Sequence, residues 1–211
     1  MKVFAHYFKS EETGNDYRRR TLLQFGSSWN VIGSVVMKNP GSAAPLKVVE
    51  DGNTINHLQS FDVDNTWYAF SADTTIRMIE QLFTAYYQSS LDGIVQVFNL
   101  MNVRDPNLER ARIKHRQAVL PFSKTTDEDI RQLVAPVYLG WANLGQVPDF
   151  MEDAERIFHV VKEEKDGNYL HEMFEDNLFY HPYYLMGQGK NRPKSQFLLN
   201  AFCQNTTSPK Y

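Results

Sequence analysis

Polar residues at the ends of apolar runs are where this chain could do chemistry. Asn39-Pro40-Gly41-Ser42-Ala43 comes after Val31–Met37, and Asn99 follows Ile94–Phe98, with Asn102 close behind. Trp141 closes Val137–Leu139, and His181-Pro182-Tyr183-Tyr184-Leu185 follows Leu178–Tyr180. If each run is a parallel strand, the carboxyl ends share one rim, and ligands bind at that rim. Pro40 fixes the backbone and Gly41 lets it approach a ligand, so Asn39 and nearby N–H groups could hold a water or an anion. An Asn side chain such as that of Asn99 offers one acceptor and two donors, enough to read the edge of a nucleobase. His181 can donate to a developing anion or shuttle a proton, and Tyr183 and Tyr184 can stack. Each motif also has a plainer reading: a strand-end turn, a capping Asn, a packed His between core tyrosines.

The elements that must position these residues read as an alternation of strands and helices. Tyr17–Phe25 and Val31–Met37 are strand-like and suggest an antiparallel pair at the start of the sheet. Arg18, Arg19 and Arg20 read as a solvated strand edge, where charge deters aggregation. Asn39 to Phe70 reads as a long irregular stretch, of the kind that tends to be functional or disordered. A helix starts near Ser71 or Asp73, with Ile76, Ile79, Phe83 and Tyr86 at helical spacing. Strand, loop, helix and strand in that order imply a parallel crossover. Thr125-Thr126-Asp127-Glu128 resembles a capping box for a helix to about Val134, and Asp149 with Glu152 repeats the pattern before Ala154, Ile157, Phe158 and Val161. Asn177–Tyr180 reads as the last strand, and Ser195–Phe202 as a final short helix. The expectation is one α/β domain over residues 1–211: three layers around a mostly parallel four-stranded sheet, with an N-terminal antiparallel addition.

Bulk properties restrict function less. The 211 residues carry a formal net charge of −3, which gives nucleic-acid binding no support from overall charge, although a local patch can suffice. From Asn177 to Tyr211 there is no Asp or Glu, and Lys190, Arg192 and Lys194 follow His181 closely. This stretch suits phosphate contacts, or is a solvated loop. Cys203 is the only cysteine, so no intrachain disulfide can form. The histidines show no metal-ligand spacing, and neither a metal nor another cofactor is expected. Met1–Ser10 lacks a signal-peptide core, and no apolar stretch approaches the ~20 residues that span a bilayer. The reading is a cytoplasmic protein without a membrane partner, its oligomeric state open.

Taken together the motifs resemble a family of bacterial and phage proteins known as a domain of unknown function. The matching residues are Asn39-Pro40-Gly41-Ser42-Ala43, Asp73-Thr74-Thr75-Ile76-Arg77, Asn99-Leu100, Val137–Trp141 and His181–Leu185. Lys38 stands where that pattern usually has Leu. A more distant resemblance runs to the uracil-DNA glycosylase superfamily, through Asn39-Pro40-Gly41, Val97-Phe98-Asn99, Leu139-Gly140-Trp141-Ala142 and His181-Pro182. It implies a glycosylase-like fold and hydrolysis of an N-glycosidic bond to a base in DNA or a nucleotide. Under that resemblance Asn39 positions water, Asn99 reads the base and His181 stabilises the departing base. Tyr183-Tyr184 replaces the family's Ser-Pro pair, and the aspartate form of the first motif is absent. A non-catalytic nucleic-acid or nucleotide-binding module and an unrelated small-molecule enzyme remain alternatives.

Overall fold

A computed structural model describes residues 1–62, 66–117, 120–165, 173–176, 179–187 and 192–203, the last segment without the side chains of 192–194. The elements in chain order are β1 (Lys2–Lys9), β2 (Asp16–Phe25), β3 (Val31–Met37), β4 (Lys47–Val48), α1 (Gly52–Gln59), β5 (Trp67–Phe70), α2 (Thr74–Tyr87), β6 (Gly93–Asn99), α3 (Leu108–Gln117), α4 (Asp127–Arg131), β7 (Val137–Gly140), α5 (Met151–Glu164) and α6 (Arg192–Cys203). Short 3₁₀ turns occupy Ala142–Gln146 and Pro182–Met186.

The sheet corrects the expected architecture. Among the described residues it has seven strands in the order β4-β5-β1-β2-β6-β3-β7 and is mixed. Only β6, β3 and β7 pair in parallel, while β4, β5, β1 and β2 extend the sheet antiparallel from β6. A mostly parallel four-stranded, uracil-DNA-glycosylase-like sheet is therefore not what this chain forms. β2 does not pair with β3, because β6 lies between them. Phe179 and Tyr180 lie outside any strand, and the rest of the expected last strand falls outside the described residues. The irregular stretch from Asn39 to Phe70 contains β4, α1 and β5. Asp51 caps α1 by accepting from the Thr54 N–H at 2.8 Å.

Helices cover both faces of the sheet. Val35, Val95 and Val97 face α2 and α6 with Ile79, Phe83, Leu198 and Phe202. Val36, Phe98 and Leu139 face α3, α4 and α5 with Ala111, Ile130, Ile157 and Phe158. Alternation along β3 thus feeds two cores, as strands buried on both faces require. Asp73 caps α2 through the Ile76 N–H at 2.9 Å. The capping box before α4 joins Thr126 and Asp129. Before α5 no side chain caps, since Asp149 is drawn instead to Arg116 at 2.6 Å and Arg112 at 3.5 Å. Among the described residues no helix is long and apolar enough to cross a membrane.

The arginine run is the largest local correction. β2 is an interior strand, and Arg18 and Arg20 are 8% and 5% exposed. Ala5 pairs with Thr21 but Tyr7 pairs with Arg18, so β2 carries one extra residue in a bulge. The extra residue changes which face the side chains before it address. Arg20 lies over the Phe98 ring and donates to the Phe61 carbonyl at 2.7 Å and to Gln132. Arg18 lies over Phe70, on the α2 side.

Buried histidines give this fold a pH dependence. His6 is 6% exposed, and burial lowers its pKa from 6.5 to about 4. Between those values the unfolded chain binds a proton that the native chain excludes, so stability rises with pH across the window. His181 is shifted the same way. Urea unfolding should show stability falling as pH drops from 6.5 to 4, by roughly 3 kcal/mol for His6 alone. His6→Gln should flatten part of that slope, and constant stability across the window would contradict the assignment.

Candidate functional site

The carboxyl ends of β3, β6 and β7 open onto a cavity of about 530 Å³. Its wall contains Asn39, Pro40, Gly41 and Ser42 after β3, Asn99 at the end of β6, and His181, Tyr183 and Tyr184. The wall also contains Arg18 and Thr21 of β2, Lys38, Asp73 at the start of α2, and Asn143 after β7.

The 39–43 loop is held by its carbonyls. Arg18 Nη2 donates to the Pro40 carbonyl at 2.5 Å. Arg104 donates to the Ser42 and Ala43 carbonyls, each at 2.6 Å, and pairs with Asp16 at 3.3 Å. Gly41 supplies the turn at φ +69°, a backbone region that glycine enters without penalty. Asn39 Nδ2 donates to the Asp105 carbonyl at 3.2 Å, which leaves Oδ1 as the free end of the amide. Asp105 is itself fixed. Bonds from Arg110 at 2.7 Å and Lys114 at 2.8 Å hold its carboxyl well below the usual range.

Asn99 is 2% exposed and ends its strand opposite Met37. Its carbonyl accepts from Thr125 Oγ1 at 2.6 Å. Its side-chain amide makes no hydrogen bond among the described residues, although it lines the cavity. A buried amide without a protein partner is a group that a ligand or water must satisfy.

His181 caps the 182–186 turn. Its Nδ1 accepts from the Tyr183 N–H at 3.2 Å, so a neutral ring carries its proton on Nε2. Burial, with the Lys38 charge adding to it, lowers its pKa to about 4, and at neutral pH it is an uncharged donor. The ring's approach depends on Gly140. A Cβ there would sit 3.0 Å from Pro182 Cδ and 2.8 Å from Tyr138 Cε1. Gly140→Ala should therefore push the 181–182 segment outward while costing only ~1–3 kcal/mol of stability. Urea unfolding beside the NMR shifts of the His181 ring checks this. Unshifted His181 resonances in the folded variant would contradict the positioning role.

Asn102 does not join the cavity wall. It is 1% exposed, and Nδ2 donates to the Phe122 carbonyl at 2.9 Å while its own carbonyl accepts from the Arg18 N–H at 3.0 Å. It ties the segment after β6 to its neighbours. Lys190 lies outside the described residues, and Arg192 and Lys194 begin α6 with side chains that are likewise outside. Reading the sequence alone missed Arg18, Lys38 and Asp73 as cavity residues. Lys38 had one signal, a cation in place of Leu beside Asn39. Asp73 was legible only as a helix cap.

The fold and site define a mixed-sheet α/β protein with a polar cavity at its parallel strand ends. No family model, curated protein or solved structure matches the chain.

Proposed function

We propose that the cavity takes a nucleobase still joined to its sugar, and that the chain hydrolyses the N-glycosidic bond. The observation that carries this reading is the hydrogen-bonding complement of Asn39, Asn99 and His181 around one cavity. Asn99 presents a planar amide with no partner among the described residues, suited to the donor and acceptor edge of a base. Asn39, tied through Nδ2, offers Oδ1 to orient a water. His181 offers a neutral Nε2–H to the base as the C–N electron pair moves onto it, a donor aimed at charge that develops in the transition state. Asn39 cannot take the proton of the attacking water. Asp73 is the carboxylate in the described wall that can. About 530 Å³ is enough for a mononucleotide-sized group. The distant motif resemblance to the glycosylases supports the reading through these residues and not through the sheet.

The test is base release from nucleosides, nucleotides and oligonucleotides bearing deaminated, alkylated or mismatched bases, followed chromatographically. Free base is expected from at least one of them. Release from none, with enzyme in excess, would end the hydrolase reading. A second reading, binding without cleavage, draws on the tyrosines. Tyr183 is 49% exposed and lines the cavity with Tyr184, a stacking surface that needs no chemistry. Saturable nucleotide binding without release would select it.

A further inference from the structure

We infer that Arg18 and Lys38 form an anion subsite in this cavity, built for a phosphate monoester on the ligand. Arg18 is more than nine-tenths buried, yet its Nε and Nη1 have no hydrogen-bond partner among the described residues. Among the described residues the guanidinium's one hydrogen bond runs from Nη2 to the Pro40 carbonyl. No carboxylate among the described residues pairs with Arg18, and none pairs with Lys38. Asp73 lies close enough to feel the Arg18 charge but forms no ion pair with it, and its Oδ1 caps α2. Burial weakens Arg18 as a base, but only to about 10, so it stays charged at neutral pH. A buried cation with unpartnered donors costs stability unless something compensates it, and structural cations are normally paired for that reason.

The neighbouring loop lines the same cavity and carries further donors. Its Pro40, Ser42 and Ala43 carbonyls are taken up by Arg18 and Arg104. The Gly41 and Ser42 N–H groups, which flank those carbonyls, have no acceptor among the described residues. Successive free backbone N–H groups in a turn with positive φ favour an anion. Two cations and two N–H groups suit the three oxygens and near-double charge of a phosphate monoester better than a carboxylate.

The subsite deepens the nucleotide reading, on which the identity of the attached group rests, but does not require cleavage. Calorimetric titration with inorganic phosphate, against chloride at matched ionic strength, should show saturable binding. Nucleoside 5′-monophosphates should bind at least about tenfold more tightly than the matching nucleosides, the size of one or two charge-assisted hydrogen bonds. An oligonucleotide offering only internal diesters should lack that advantage. Lys38→Met, at a half-buried position, should remove most of the phosphate advantage, read as the ratio of monophosphate to nucleoside affinity in the variant against the same ratio in the wild type. Arg18→Lys, which keeps charge but loses the planar fork, should weaken it further. The inference is overturned if phosphate does not bind beyond chloride, if nucleoside and monophosphate bind alike, if the diester binds as well as the monoester, or if folded Lys38→Met keeps the full advantage. Base release that ignores the phosphate would sink the subsite and spare the hydrolase. Phosphate-dependent binding without release would do the reverse.

Discussion

His181→Ala should slow base release by about two to three orders of magnitude, with ligand affinity changed only a few-fold. The magnitude is that of removing one donor aimed at a developing anion. The asymmetry follows because Nε2–H gains most when the leaving base carries charge, so the loss falls on the transition state and not on binding. The ring's low pKa adds a second signature. A donor that is neutral above about pH 4 gives rates that do not decline through the usual histidine range for want of a charged imidazole. Asn39→Ala should also lower turnover more than affinity. Asn99→Ala should relax base selectivity, because the wrong base no longer leaves a buried amide unpaired. Single-turnover rates beside calorimetric affinities separate the three. Equal loss of affinity and rate in His181→Ala would make the residue part of the binding surface alone.

Trp141→Ala should destabilise the protein by about 3–5 kcal/mol, measured by urea unfolding. The side chain is fully buried and packs on Phe179 with ring centroids 4.7 Å apart. The Ala142 N–H donates to the Phe179 carbonyl at 2.6 Å, so the same few residues fasten β7 to the segment that leads to His181. Truncation leaves a cavity at that junction. Trp141→Phe keeps much of the volume and should cost far less. If Trp141→Ala costs under about 1 kcal/mol, the cluster around Phe158 and Phe179 does not hold this face together.

What could be read from the chain, and what could not, divides along physical lines. The rim residues after β3 and β6 were legible because apolar runs ending in Asn or Pro-Gly mark strand ends, and helical spacing marked α2. Sheet order was not legible. Nothing in the pattern of Lys2–Lys9 or Asp16–Phe25 says that they extend the parallel strands into a seven-stranded mixed sheet. The bulge that divides Arg18 from Arg20 is a matter of pairing register, which a strand sequence does not display. Three consecutive arginines therefore suggested a solvated edge, while two of them lie buried on opposite faces. Asp149 shows a related limit. Its position suits a cap, but Arg112 and Arg116 arrive from α3 and take it.

The most direct measurement is single-turnover release of free base by the wild-type protein, in excess over substrates spanning nucleosides, nucleotides and oligonucleotides. The account predicts free base and the matching sugar fragment in equal amounts from at least one substrate, at a rate that His181→Ala reduces about 100-fold or more. Saturated binding of those substrates with no free base above the uncatalysed background would contradict it.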